Sequence, residues 1–124
     1  METLFMLGRL LFGGFFVLQA YNHFKNQSSL THYARAKGLP VPSAAVFASG
    51  VLLLLGGLSL VLGFEMIIGM WLLVIFLIPT TFMMHTFWKE KDAQTRMGET
   101  IQFSKNVALI GALLMMIAMA FLFF

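Results

Sequence analysis

Two histidines lie near the ends of long apolar stretches of the sequence. His23 closes a stretch that begins near Thr3, and His85 lies near the end of another that begins at Met66. An imidazole can carry a proton, donate a hydrogen bond or bind a metal, and its charge changes near neutral pH. These two positions are therefore the first candidates for a functional site.

Lys105 and Asn106 open the last apolar stretch and add a fixed positive charge and an amide. A lysine at such a position is able to hold an anionic headgroup or a quinone carbonyl. If successive stretches cross a membrane in alternate directions, both histidines reach the same boundary as this pair, and the other polar residues lie one helical turn deeper. The candidate ligand-binding residues are His23, His85, Lys105, Asn106, Gln19 and Thr81.

A simpler interpretation of the same residues stays open. Histidine, lysine and tryptophan are common at helix ends because their amphipathic side chains prefer the membrane interface. Two histidines without a nearby carboxylate or thiol give little reason to expect a metal site. The sequence also contains no nucleophile-and-base arrangement, phosphate-binding loop or dinucleotide fingerprint, so no catalytic residue is assigned.

The composition places the chain in a membrane. Of its 124 residues, 60% are hydrophobic and only 10% are charged, which lies far outside the composition of soluble proteins. The chain has no cysteine, so any redox chemistry requires a bound cofactor or a partner protein. The net charge of +3 comes from basic residues in short segments between apolar stretches, which is typical of membrane topology signals and argues against a nucleic-acid partner.

Four apolar stretches are each long enough to cross a hydrocarbon core about 30 Å thick as an α-helix. They cover residues of about 3–24, 43–63, 66–88 and 100–124. We therefore predict a single domain over residues 1–124 with an all-α fold, an integral membrane four-helix bundle. Pro79 predicts a kink in the third helix, where Thr80 and Thr81 can bond the carbonyls that the proline frees.

Two polar connections join these helices. Turn-forming Gly and Pro residues rule out a continuous helix through the first, residues 25–42, where a short amphipathic turn is expected between Tyr33 and Lys37. The other, residues 89–99, carries both signs of charge and should be solvated. Because Lys and Arg are concentrated at these two connections, the positive-inside rule places both in the cytoplasm and both termini outside. The expected location is a bacterial inner membrane.

Arg9 interrupts the first apolar stretch and shares a helical face with Phe16 and His23. A charged side chain near the bilayer centre costs about 2.5–3.5 kcal/mol on insertion scales, so Arg9 should face protein or water. We expect a structural intramembrane charge that bonds the C-terminal carbonyls of a helix, hydroxyl groups or water. Glu65 is the only acid expected within its reach.

The second apolar stretch carries a stripe of small residues. The positions follow alternating steps of four and three and comprise Ala45, Ser49, Leu52, Gly56, Ser59 and Gly63. Small residues let helix backbones approach closely in a membrane, where no hydrophobic effect brings helices together. This stripe is therefore predicted to be a packing seam.

Several short motifs follow one another along nearly the whole chain. They are Gly8-Arg9, the His23 end of the first helix, Tyr33-Ala34 with Gly38-Leu39-Pro40-Val41-Pro42, Ser49-Gly50 with Gly56-Gly57 and Gly63, Pro79-Thr80 with His85-Thr86-Phe87-Trp88, and Phe103-Ser104-Lys105-Asn106. In this order and spacing they resemble the DoxX family of small four-helix membrane proteins. Many relatives carry an acidic residue after the Ser-Gly pair of the second helix, where this chain has Val51, Leu52 and Leu53, so the usual partner of Arg9 is missing.

The resemblance implies two classes of function. Some DoxX proteins look like the membrane subunit of a thiosulfate:quinone oxidoreductase, and others associate with detoxifying enzymes in membrane oxidoreductase complexes. The first hypothesis is therefore a membrane subunit of a quinone-linked or detoxifying oxidoreductase complex, which binds a quinone-like headgroup near the cytoplasmic boundary. The alternative is a non-enzymatic membrane protein that binds lipid or a small molecule or assists assembly. The lipid bilayer is a partner in both cases. The other candidate partners are a soluble or membrane oxidoreductase and a second copy of this chain.

Overall fold

The computed structural model describes residues 1–123, the last of them by its backbone alone. Its helices are α1 (Glu2–Lys25), α2 (Gln27–Ala36), α3 (Pro42–Leu62), α4 (Met66–Met84) and α5 (Ala93–Phe123), with a 3-10 turn at Phe87–Lys89. Within residues 1–123 there is no β-strand, and four helical stretches are long and apolar enough to cross a membrane. The predicted all-α fold with four such helices is confirmed. The predicted end of the last helix at residue 124 lies outside the described residues.

The first connection contains more structure than the short turn predicted near Tyr33. A complete helix, α2, occupies most of it and is more amphipathic than the four long helices. Steps of three and four residues place its less exposed side chains on one face, where Ala34 is fully buried. These residues are Gln27, Leu30, Thr31 and Ala34.

A left-handed glycine ends α2. Gly38 has a φ of 83° and donates its backbone N–H to the carbonyl of Arg35 at 3.0 Å, while Leu39 donates its N–H to the carbonyl of Ala34 at 3.1 Å. This pair of bonds is a Schellman motif, which satisfies the last carbonyls of a helix and needs the positive φ that glycine adopts readily. The chain then enters α3 at Pro42, a first-turn position where the missing N–H costs nothing.

Ser59 holds the tight reversal between α3 and α4. The backbone carbonyl of Ser59 accepts the N–H of Phe64 at 3.0 Å. Its hydroxyl oxygen lies 2.7 Å from the carbonyl oxygen of Phe64 and 2.9 Å from that of Glu65. Gly63 and Glu65 both have positive φ angles, of 72° and 49°. One serine therefore fixes a turn in which a left-handed glutamate would otherwise be unfavourable.

The last connection is shorter than predicted. α4 ends at Met84 and not at residue 88, and α5 begins at Ala93 and not at residue 100. The early start has a local cause, because a carboxylate oxygen of Asp92 accepts both the backbone N–H and the hydroxyl of Thr95, each at 2.9 Å. Asp92 is thus the N-cap of α5 and stabilises a polar first turn that apolar periodicity does not reveal.

Pro79 lies inside α4 without ending it. Because proline has no N–H, it leaves the carbonyl of Ile75 without its usual helical donor. The fully buried hydroxyl of Thr81 donates to the carbonyl of Leu77 instead, so it does not satisfy the carbonyl that Pro79 frees. The kink predicted here stays a prediction.

Residue contacts divide the chain into two units, Met1–Leu73 and Val74–Phe124. In the first unit, α1 and α3 touch through glycines. A methyl group added to Gly57 would lie 2.8 Å from the backbone nitrogen of Val17 and 3.0 Å from the carbonyl oxygen of Gly13. The two helix backbones are therefore in direct contact.

A second face of α3 packs against the start of α4 in the same unit. A methyl group on Gly56 would lie 2.6 Å from side-chain carbons of Leu73, and one on Gly69 would collide with the side chain of Ser59. The structure thus confirms close packing at Gly56 and Ser59 of the predicted stripe. The contact of α3 with α1 uses Gly57, which is not part of that stripe.

Candidate functional site

His85 follows the end of α4, in the short segment that separates this helix from the 3-10 turn. Its Nδ1 atom lies 3.6 Å from Oε1 of Glu99 in α5, and the two side chains are only 17% and 13% exposed. An imidazole next to a carboxylate can exchange a proton while the carboxylate balances the charge. The His85–Glu99 pair can therefore take part in proton transfer.

Glu99 corrects the expectation that no carboxylate lies near either histidine. The sequence interpretation placed Glu99 in a solvated connection because it began the last helix at residue 100. Once α5 begins at Ala93, steps of three and four residues put Glu99 on the same helical face as Phe103 and Asn106. That periodicity is the signal by which Glu99 could have been found.

An aromatic cluster surrounds the same junction and centres on Phe103 of α5. The ring centroid of Phe103 lies 5.4 Å from that of Phe82, 5.2 Å from that of Phe87 and 5.8 Å from that of Trp88. All three contacts are edge-to-face, an arrangement that favours rigid aromatic packing. The cluster therefore fixes the end of α4 and the 3-10 turn against α5 beside His85.

The other predicted residues of the second unit differ in burial. Thr81 and Asn106 are 0% and 5% exposed, and Thr86, which was not predicted, is 5% exposed. Lys105 is exposed, and its Nζ atom donates to Oε1 of Gln102 one turn earlier at 2.8 Å. Lys105 thus provides a positive charge at the surface of α5, whereas the two threonines and Asn106 are buried polar groups.

Gln19 and His23 lie in the first unit. The Nδ1 atom of His23 is 3.1 Å from the backbone carbonyl oxygen of Gln19, so an Nδ1–H donates to that carbonyl. A methyl group on Gly50 would lie 3.4 Å from Cβ of His23, which places the half-buried imidazole beside α3. Phe16 is 1% exposed and belongs to the core.

The predicted ligand-binding residues therefore belong to two groups. Gln19 and His23 belong to the first unit, and Thr81, His85, Lys105 and Asn106 belong to the second. Their participation in one shared pocket stays a prediction.

Arg9 lies at the opposite end of α3 from His23. A methyl group on Gly63 would lie 2.8 Å from Nη1 of Arg9, so the guanidinium is packed against the residue that follows the last turn of α3. A cation at a helix C-terminus is favourable because the terminal carbonyls carry partial negative charge. Among the described residues, none offers a hydrogen-bond partner to the buried Nε atom.

The positions of the His, Asp and Glu side chains bear on metal binding. Within residues 1–123, no three His, Asp or Glu side chains come together in a way that could hold a metal ion. A protein zinc site normally uses three or four such ligands.

The family model described as DoxX matches residues 4–86. The chain belongs to the DoxX family. Together with the four helices of membrane-spanning length, this membership makes it an integral membrane protein. No curated protein and no solved structure matches the chain.

The DoxX match covers only part of the candidate site. It includes His85 near its end, whereas Glu99, Phe103 and Lys105 follow the matched residues. The histidine thus lies within the matched part of the chain. The carboxylate and the central aromatic ring come from α5, beyond it.

Proposed function

We propose that this DoxX protein is the membrane subunit of a quinone-linked oxidoreductase complex and that a quinone headgroup binds at His85. The observation that carries the proposal is the 3.6 Å separation between His85 Nδ1 and Glu99 Oε1 beside the Phe103 aromatic cluster. A pocket for a small aromatic ligand needs apolar walls and a few well-placed polar groups. This junction offers both.

The residues present suit a quinone. A quinone carbonyl needs a hydrogen-bond donor, which His85 provides, and a planar ring needs apolar contact, which Trp88 and Phe82 provide at the partly exposed edge of the cluster. When bound, the quinone would supply the electron-accepting chemistry that a chain without cysteine lacks.

In this proposal, Glu99 orients the His85 side chain and balances the charge of its imidazole. The Glu99 carboxylate lies 3.6 Å from His85 Nδ1, so it would balance the charge of the imidazole while His85 delivers a proton to the quinone and recovers one. Lys105 adds positive charge on α5 that favours an electron-rich headgroup, although its bond to Gln102 holds it to its own helix. Electrons would come from a soluble or membrane oxidoreductase partner at the cytoplasmic face.

Quinone retention tests this function. We would purify the full chain in mild detergent, add decylubiquinone, remove the excess by gel filtration and extract the retained quinone for quantification. The wild type and His32→Ala, which removes an exposed histidine of α2, should retain similar amounts. His85→Ala should retain little while keeping its helical circular dichroism.

Two results would contradict the proposal. One is a folded His85→Ala variant that retains as much quinone as the wild type. The other is a wild-type protein that retains no quinone after the addition of decylubiquinone.

A further inference from the structure

A groove of about 680 Å³ opens in the first unit and shares no lining residue with the His85 junction. Its volume is in the range of small-molecule binding sites, which is about 300–1,000 Å³. The lining combines polar and apolar side chains from α2, the turn that follows it and the start of α3. The lining residues are Gln27, Arg35, Val41, Pro42, Ser43, Ala44 and Phe47.

Gln27 links the two helices that form the groove. Its Nε2 atom donates to the backbone carbonyl of Ser43 at 3.0 Å and approaches Oγ1 of Thr31 at 3.4 Å. Among the described residues, none bonds the buried Oε1 atom of the same amide. An acceptor in this position favours a ligand that carries a hydroxyl donor.

The charged side chains of the segment that forms the groove have one sign. Residues 3–64 contain no Asp or Glu, whereas Lys25, Arg35 and Lys37 all lie close in sequence to the groove. Arg35 is exposed and lines the groove itself, and a guanidinium can bind two oxygens of a phosphate at once. The start of α3 also presents the positive end of a helix dipole. The complementary ligand is an anion.

Part of the groove lining is apolar. Val41 and Phe47 are 72% and 57% exposed, and the ring of Phe47 lies 5.7 Å from that of Phe24 of α1. Pro42 begins a helix long and apolar enough to span the membrane, so the groove lies where headgroups meet acyl chains. Basic pockets at this depth suit phospholipid headgroups.

We infer that this groove binds the headgroup of an anionic glycerophospholipid with free hydroxyl groups, of the phosphatidylglycerol class. The phosphate binds Arg35, a headgroup hydroxyl donates to the Gln27 amide, and an acyl chain lies across Phe47. This inference does not depend on the quinone proposal, because the two sites share no residue.

The test is a lipid titration of the delipidated full chain in detergent, followed by native mass spectrometry. The probes are phosphatidylglycerol, phosphatidylcholine and inorganic phosphate. Arg35→Ala should weaken phosphatidylglycerol binding about tenfold, as expected for loss of a charge-assisted contact. Lys25→Ala removes the same charge from a residue outside the lining and should change binding by about twofold or less.

A second variant distinguishes the contribution of the groove's shape from that of its charge. Ala44→Phe fills the groove without altering any charge and should also weaken phosphatidylglycerol binding, with an unchanged circular dichroism spectrum. Equal losses in Arg35→Ala and Lys25→Ala would show general charge attraction and overturn the inference. So would binding of phosphatidylcholine as tight as that of phosphatidylglycerol, or competition by inorganic phosphate at equal concentration, which would indicate a site for a free anion.

Discussion

Gly57 of α3 lies so close to Val17 of α1 that a methyl group on Gly57 would be 2.8 Å from the Val17 backbone nitrogen. The neighbouring atom is backbone and cannot rotate away, so any larger residue has to push the helices apart. Close backbone contact of this kind replaces the hydrophobic effect as the force that joins helices in lipid. The lack of a side chain at Gly57 therefore allows α3 to pack directly against the backbone of α1.

Gly57→Ala should destabilise the fold, because overpacking of a tight contact costs about 1–3 kcal/mol. Gly14→Ala is the matched control in α1, since nothing lies within 4 Å of a methyl group at that position. Alanine there should be neutral or stabilising by about 0.5–1 kcal/mol, the usual difference from glycine in a helix. The measurement is thermal unfolding in detergent, and equal midpoints for the two variants would rule out a backbone contact at Gly57.

Arg9→Leu should lower the free energy of unfolding by about 1 kcal/mol, because the guanidinium no longer stabilises the C-terminal end of α3 at Gly63. Arg9→Lys keeps the charge and should lose less. Neither variant should alter quinone retention, since Arg9 is structural in this account. Unchanged stability of Arg9→Leu together with lost quinone binding would assign Arg9 to a ligand site instead.

Asp92 predicts a pH dependence outside the membrane-spanning helices. The backbone N–H of Thr95, and next its hydroxyl, hold the pKa of Asp92 below its ordinary value of 3.8. A lowered folded-state pKa means that the cap stabilises α5 above the ordinary pKa and that this contribution is lost as the pH falls through the folded-state value. The melting temperature of the wild type should therefore exceed that of Asp92→Ala at pH 7.

The difference between these two proteins should shrink as the pH falls below the ordinary pKa of the carboxyl. Asp92→Asn keeps a neutral cap and serves as the control, because its stability relative to Asp92→Ala should not follow this pH dependence. A wild-type advantage that stays constant from neutral to strongly acidic pH would show that the Asp92 carboxylate is not the cap.

The charge distribution predicts that both polar connections face the cytoplasm. Single cysteines at Ser29 in α2 and Ala93 at the start of α5 are suitable reporters, since both positions are exposed and the chain has no cysteine of its own. In intact cells they should resist a membrane-impermeant thiol reagent and react after the membrane is opened. Rapid labelling of both in intact cells would invert the orientation.

The long helices were predictable because apolar runs of this length have few alternatives in a membrane. α2 and the first turns of α5 were not. α2 is stabilised by its Gly38 cap and by packing on α3, and the first turns of α5 are stabilised by the Asp92 cap, and none of these features produces an apolar run. Because the predicted start of α5 was too late, Glu99 was placed in a connection and not beside His85. His85 could be chosen from the sequence by its chemistry, but its carboxylate neighbour depends on where α5 begins.

The most direct test of a quinone site at His85 is the affinity for quinone, measured at the aromatic cluster. The chain has two tryptophans, so Trp71→Phe leaves Trp88 as the only indole reporter, and its fluorescence should be quenched saturably by decylubiquinone. Added to this background, His85→Ala should raise the Kd about tenfold, the loss expected for a hydrogen bond to a strongly polarised partner, whereas His32→Ala should leave the Kd unchanged. Saturable quenching with the same Kd in His85→Ala would contradict a quinone headgroup at His85.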